Sequence, residues 1–394
     1  MKKLFFVSNW KDLTHAWSGT PNGLYKALLK KIELQKIEAI VSLVKINKLQ
    51  KLLSIFDNFM MNLFNAKKTG HIINKQDNPN EDPFFVFSES LSKHVGKTYC
   101  YQDLSVDYLL RLRMSQAPEA HFAVNSAIPT QNIKRKRKIA NKFYQECAGI
   151  FTMSKWLKAD LVENTGIPAT KVHHVGGGCS IDVNKIDTSC KTGNKFLFVG
   201  KAWDRKNGDL VVNAFYSICA SHPELNPKLY VVGPVEKPKS ITDDKNVVFL
   251  GRLTHEELVQ YYNMCDYFVM PSKFEAYGLV FAEALCFGLP CIGKNICAMP
   301  EFITDGLNGY LIKEDDTEEL ASAMIKLLCN GHDLVQFVQQ NQMHYIEQYS
   351  WDSVADRIIS VLRQDGFDLQ KTSSECTDVC KIKDTAVIAT LATN

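Results

Sequence analysis

Two glutamates eight positions apart, Glu275 and Glu283, bracket a glycine in the segment Met270-Pro-Ser-Lys-Phe-Glu-Ala-Tyr-Gly-Leu-Val-Phe-Ala-Glu-Ala-Leu-Cys-Phe-Gly-Leu-Pro290. The pattern predicts a strand ending at Met270, a loop, and a helix over residues 279–287 stopped by Gly288 and Pro290. Gly278 lets the backbone come close to a ligand where that helix begins. A helix start offers N–H donors and partial positive charge, which suits a diphosphate. Glu283 lies about one turn in, roughly 6 Å up the axis. That is too far for the phosphates but suited to accept hydrogen bonds from a ribose diol. Glu275 precedes the turn, where a carboxylate can meet a sugar. The two acids would then serve opposite ends of one nucleotide sugar. The plainer alternative is an amphipathic helix with two solvated acids.

A second segment, Phe198-Val-Gly-Lys-Ala-Trp-Asp-Arg-Lys-Asn-Gly208, reads as a strand, a basic loop and a helix starting near Gly208. Lys206 there could neutralise a diphosphate and stabilise a leaving group as charge builds on it. A solvated basic loop is the other reading of Lys201 and Lys206. A third segment, Val247-Val-Phe-Leu-Gly-Arg-Leu-Thr-His-Glu-Glu-Leu258, places Arg252 at a turn after a strand.

Together with Pro271-Ser-Lys-Phe-Glu-Ala-Tyr-Gly278 and Met299-Pro-Glu-Phe-Ile-Thr-Asp-Gly-Leu-Asn-Gly309, the acidic pair resembles the motif of retaining GT-B glycosyltransferases, most closely glycosyltransferase family 4. The resemblance covers roughly residues 1–365 and is most specific over 196–312. It implies an α/β chain of GT-B type, with two Rossmann-like parallel-sheet domains facing across a cleft. It also implies transfer of a hexosyl unit from a nucleoside diphosphate sugar to an acceptor hydroxyl, with retention of anomeric configuration. Glu275 would contact the donor sugar and Glu283 the ribose, with Tyr277, Gly278 and Leu279 also in the donor site. The family carries an Arg and a Lys five positions apart in the basic loop. Lys201 and Lys206 hold that spacing here, and Arg205 could supply the planar fork that Lys201 lacks. The turn at Arg252 resembles the one whose backbone reads the base, which leaves UDP, GDP and ADP all open.

On the acceptor side, Trp17-Ser-Gly-Thr-Pro-Asn-Gly-Leu-Tyr25 resembles the family's first glycine loop, with Gly19 under the diphosphate. Its two glycines permit a loop that runs close to a ligand. Asp103, at the end of a candidate strand, is placed to orient the acceptor or act as base, although no His stands beside it. Val175-Gly-Gly-Gly178 is a glycine loop near the hinge, and His173 and His174 before it are read as structural. A front-face departure, in which the leaving phosphate helps deprotonate the acceptor, is the mechanism that this set suggests. The chain has no Asp-x-Asp pair, so neither a metal nor another cofactor is expected.

Elements must position these groups. Apolar runs at residues 196–199, 229–232, 247–250, 267–270, 291–292 and 310–312 alternate with helix-like stretches. The first half repeats this with runs at 4–7, 39–44, 84–87, 97–101, 149–152 and 174–175. Such alternation predicts parallel sheets covered on both faces, with ligands outside the strands' carboxyl ends. Ser154 reads as a helix N-cap. The polar segment 186–195 suggests a boundary, giving an acceptor-side domain over 1–185 and a donor domain over 186–364. Residues 365–394 read as a poorly ordered tail with a short apolar segment at 386–391.

Composition excludes several classes. A net charge of +3 argues against a nucleic-acid binder, and 45% hydrophobic residues argue against disorder. No apolar run reaches the 18 or so residues of a membrane span, and the N-terminus lacks a leader pattern, so a cytoplasmic location is expected. The 12 cysteines show no pairing rhythm; the close pair Cys376 and Cys380 has no His beside it. The basic run Lys134-Arg-Lys-Arg-Lys138 reads as a solvated helix face, or otherwise as a nuclear or nucleic-acid signal. Residues 43–64, apolar with interleaved Lys45, Lys48 and Lys51, read as a core-facing helix or as a peripheral membrane contact. The acceptor stays open among a saccharide, a protein glycan and a lipid. The rival functions are a non-catalytic nucleotide-sugar binder and a sugar-nucleotide epimerase of the same fold.

Overall fold

The structure, a computed structural model, describes residues 2–8, 13–14, 16–38, 81–87, 97–115, 117, 119–123, 128–187, 189, 191–369 and 371. Among them run strands β1 (Leu4–Ser8), β2 (Leu34–Glu38), β3 (Pro83–Phe87), β4 (Lys97–Gln102), β5 (Gly149–Thr152) and β6 (Val172–His174). The second set is β7 (Lys195–Val199), β8 (Lys228–Val232), β9 (Val247–Gly251), β10 (Tyr267–Val269), β11 (Cys291–Lys294) and β12 (Gly309–Ile312). The α-helices are α1 (Thr20–Leu29), α2 (Val106–Ser115), α3 (Ala120–Ala123), α4 (Thr130–Glu146), α5 (Lys155–Glu163), α6 (Gly208–Ser221) and α7 (His255–Met264). Further on come α8 (Leu279–Cys286), α9 (Met299–Phe302), α10 (Thr317–Asn330), α11 (His332–Gln340), α12 (Gln342–Gln348) and α13 (Trp351–Gln364).

The strands form two parallel sheets, in the orders β2-β1-β3-β4-β5-β6 and β12-β11-β10-β7-β8-β9. Strands such as β3, Pro-Phe-Phe-Val-Phe, are buried at every position, as expected where helices cover both faces. In the first sheet Phe6 stacks on Phe85 at 5.7 Å, Phe85 on Phe151 at 6.0 Å, and Phe151 on Tyr99 at 5.6 Å. Each such ring contributes roughly 2–3 kcal/mol through burial.

Contacts divide the chain into Met1–Gly176 with Trp351–Asn394, and Gly177–Ser350. The boundary read at residue 186 from the polar segment therefore falls earlier, and the last helix returns to the first unit. Backbone and side-chain contacts explain both differences. Gly177 donates its N–H to the Tyr277 hydroxyl at 3.0 Å, and Cys179 donates to the Tyr349 carbonyl at 2.6 Å. Helix α13 packs on α1, where a Cβ on Gly23 would lie 2.2 Å from Trp351 Nε1. Lys31 pairs with Asp356 at 2.9 Å, and Arg357 donates to the Val175 carbonyl at 2.6 Å. Gly23 is thus a helical residue making room for an indole, not part of an open loop. Packed structure also continues past residue 365, where the tail was read to begin. The Tyr99 hydroxyl donates to Asp365 at 2.5 Å, and Phe367 and Leu369 are buried.

Among the described residues the apolar runs of the sequence become strands, with one run shifted in position and one strand added. The run at 174–175 is shifted, since β6 spans Val172–His174. Strand β2 is the polar Leu34-Gln-Lys-Ile-Glu38, and it was missed because an edge strand needs no continuous apolar run. The candidate strand 39–44, the stretch 43–64, Cys376, Cys380 and the segment 386–391 lie outside the described residues. The basic run is part of α4, with Ile133, Ala140, Phe143 and Tyr144 turned inward and Lys134, Arg135 and Lys138 exposed. Ser154 caps α5 by accepting the Leu157 N–H at 3.0 Å. Among the described residues no helix is long and apolar enough to cross a membrane.

Candidate donor site

In the second sheet β7 leads outward through β8 and β9, whereas β10 lies on the opposite side of β7. The order of connection reverses between β7 and β10, the position where open α/β sheets bind ligands. The loops that follow these two strands carry the basic segment and the first glutamate. Strand order thus brings together groups 70 residues apart in the chain.

The two loops are bonded to each other. Lys273 donates its N–H to the Arg205 carbonyl at 2.9 Å. Arg205 Nη1 donates to the Phe274 carbonyl at 2.8 Å and to Glu275 Oε2 at 3.2 Å. Lys206 Nζ forms an ion pair with the same Glu275 Oε2. Only 9% of the Lys206 side chain and 12% of the Glu275 side chain are exposed, so the pair is largely withdrawn from water. Burial pushes the Glu275 carboxyl upward, but Lys206 and Arg205 together outweigh it and hold the acid below its ordinary value. The site therefore keeps Glu275 as a carboxylate.

Gly278 stands at the N-cap of α8 with φ 101°, a left-handed conformation natural to glycine. A Cβ there would lie 3.1 Å from Glu275 Cγ, so the helix start and the ion pair are adjacent. Lys206, Arg205, Glu275 and Gly278 thus form one cluster of cations, carboxylate and helix terminus. Leu279, half-buried, opens the helix.

Glu283 sits one turn further along α8 and is 5% exposed. The Tyr262 hydroxyl donates to Glu283 Oε2 at 3.1 Å, and the Ser180 N–H also bonds it. Burial raises the Glu283 carboxyl to about 7, with those two hydrogen bonds opposing. Tyr277 is buried, engaged with Gly177 and set edge-on to Phe302 at 5.0 Å. Lys201 and Arg252 are exposed on loops after β7 and β9. Gly19 and Asp103 belong to the first unit. Gly19 caps α1 with φ 83°, after Trp17 and Ser18, which are also left-handed, and Asp103 follows β4, half-buried. In β6 burial lowers His173 and lowers His174 to about 4, so both are neutral packing groups near neutral pH.

Sequence reasoning missed three residues that support this cluster. Asn207, left-handed with φ 62°, follows Lys206 and donates to Asp315 Oδ1 at 2.8 Å. Lys294, the last residue of β11, donates to the same oxygen at 2.9 Å and is 3% exposed. The only signal in the chain is the Lys closing an otherwise apolar strand.

Two such sheets, with the reversal in the second occupied by a basic loop and a helix start, define a GT-B fold. Comparison with known proteins agrees. The sucrose-phosphate synthase of Thermosynechococcus elongatus superposes with a TM-score of 0.65 at 15% identity, covering 92% of this chain and 99% of that one. The Anabaena protein HepE, solved in complex with UDP and glucose, gives 0.55 at 13% identity, covering 92% and 100%. Residues 193–330 match the family model described as glycosyl transferases group 1. The chain thus has the GT-B fold, and its residues 193–330 resemble the group 1 glycosyl transferases. An uncharacterized glycosyltransferase of Methanocaldococcus jannaschii is 25% identical over 240 residues, 56% of this chain and 60% of that protein. The chain spans about half to three-fifths of the length of the first curated relatives it matches.

Proposed function

We propose that this protein transfers a hexosyl unit from a nucleoside diphosphate sugar to an acceptor hydroxyl, with retention of anomeric configuration. The observation that carries the reading is the cluster at the switch point, where Lys206 and Arg205 hold an ionised Glu275 beside the start of α8. A diphosphate received at that helix start meets N–H donors, and Lys206 lies close enough to share its charge. Glu275 then accepts hydrogen bonds from the sugar, and Glu283 from the ribose. The likeness to a protein solved with UDP and glucose supports a nucleotide-sugar donor.

In the proposed reaction the bond between the anomeric carbon and the diphosphate oxygen breaks. The acceptor oxygen bonds to that carbon on the same face, and its proton passes to the departing phosphate. Lys206 and the α8 terminus stabilise the charge on that phosphate, and no metal is required. The ion pair holds both side chains in place before the donor arrives, which reduces the reorganisation left for the chemical step.

The test incubates purified protein with UDP-, GDP- and ADP-sugars and a panel of saccharide, glycoprotein and lipid acceptors. Transfer with one donor, and the anomeric configuration of its product, supports the reading. Binding without transfer or hydrolysis would leave a non-catalytic binder. An altered sugar nucleotide formed without acceptor would identify an epimerase.

A further inference from the structure

The carboxylate of Glu283 is gripped from two sides before any ligand arrives. One grip comes from α7, where the Tyr262 hydroxyl donates to Oε2 at 3.1 Å. The other is the Ser180 N–H. Tyr262 is fully buried, and its ring lies 5.3 Å from that of Phe287 and 6.4 Å from that of Phe268. Aromatic neighbours at the end of α8 and on β10 pack against the ring and restrict where its hydroxyl can lie. An ionised carboxylate offers about four lone-pair sites. Two donors use two of them, which leaves acceptor capacity for the two hydroxyls of a vicinal diol. The nearby titratable groups are thiols: Cys179 in the segment before β7, Cys286 on α8 and Cys291 on β11. The Cys179 thiol is raised by its hydrogen bond with Cys286 and by burial, and the Cys291 thiol by burial. Neither carries charge near neutral pH.

We infer that Tyr262 is a positioning residue, whose hydroxyl fixes the Glu283 carboxylate in the orientation that accepts the ribose diol of the donor nucleotide. This rests on the ribose role of Glu283 proposed above. Tyr262→Phe keeps the ring and its packing and removes only the donor, so the fold is retained. Loss of that hydrogen bond also removes an interaction that favours ionised Glu283. The pH at which nucleotide affinity changes then moves upward in the variant.

The test measures calorimetric binding of UDP, GDP and ADP and of their 2′-deoxy counterparts to the full chain, with thermal midpoints recorded alongside. The wild type is expected to prefer the ribonucleotide. Tyr262→Phe should weaken the ribonucleotide about tenfold and leave the deoxynucleotide nearly unchanged, so the preference collapses in a chain that still unfolds cooperatively, at a modestly lower thermal midpoint. Glu283→Gln should lose the same preference. A preference intact in Tyr262→Phe but lost in Glu283→Gln overturns this inference alone. A preference intact in Glu283→Gln overturns the ribose role beneath it. Failure of the wild type to bind any of the nucleotides overturns the proposed function itself.

Discussion

Lys206 and Glu275 form a largely buried ion pair across the switch point of the second sheet, with Arg205 as a second cation on the same carboxylate oxygen. The two side chains assigned to opposite tasks, one for phosphate and one for sugar, are thus coupled. Neither can be altered without disturbing the other.

Replacing Lys206 with Met is therefore expected to act twice. Transfer should slow by about 10²-fold or more through the lost leaving-group charge. Stability should fall by about 2–3 kcal/mol, because Glu275 loses its closer partner while Arg205 remains. Steady-state rates and urea unfolding check the two parts separately. Lys206→Arg should not restore the rate, since a guanidinium presents a broader, planar donor set.

Glu283 makes stability depend on pH. Its folded value, about 7, lies above that of an unfolded glutamate, so the folded chain holds the proton more tightly. That contribution is complete below about pH 4.3 and is lost as pH rises through 7, a span worth about 4 kcal/mol. Unfolding free energies from pH 5 to pH 8 should fall for this group in the wild type. The fall should be absent in Glu283→Gln.

Gly278→Ala tests the helix start. The new Cβ would lie 2.9 Å from Phe281 Cδ2 and 3.1 Å from Glu275 Cγ, on a backbone with φ 101°. The left-handed backbone alone costs about 1–2 kcal/mol. The variant should show a lower thermal midpoint and weaker nucleotide binding by calorimetry. Ala276→Gly, two residues earlier, should change binding far less.

Asp315→Ala removes the acceptor shared by Lys294 and Asn207. Lys294 is then buried without that partner. The expected loss is about 2 kcal/mol, below that of a fully buried pair because Asp315 is 36% exposed. Lys294→Met in the same chain should return most of the loss, as chemical denaturation of the single and double variants would show.

Much of this was legible in the residues. Strands such as Phe196 to Val199 are continuous apolar runs because both sheet faces are covered, and the pattern survives any detail of packing. The helix at Leu279 follows from Gly278 before it and the stop signals after it. Strand β2 was not legible, because a strand at a sheet edge need not be a continuous apolar run. Nor was Gly23, whose missing side chain matters only because Trp351 lies over it.

The sequence by itself determined the elements, and with them the placing of Lys206 and Glu275 after strands and of Glu283 one turn into a helix. These are properties of neighbours in the chain, set by backbone preference and periodic burial. Tertiary structure decided which side chain meets which: Lys206 on Glu275, Tyr262 on Glu283, Asn207 and Lys294 on Asp315. Those meetings depend on strand order and on which loops lie side by side, and no local pattern encodes that β10 returns to the free side of β7.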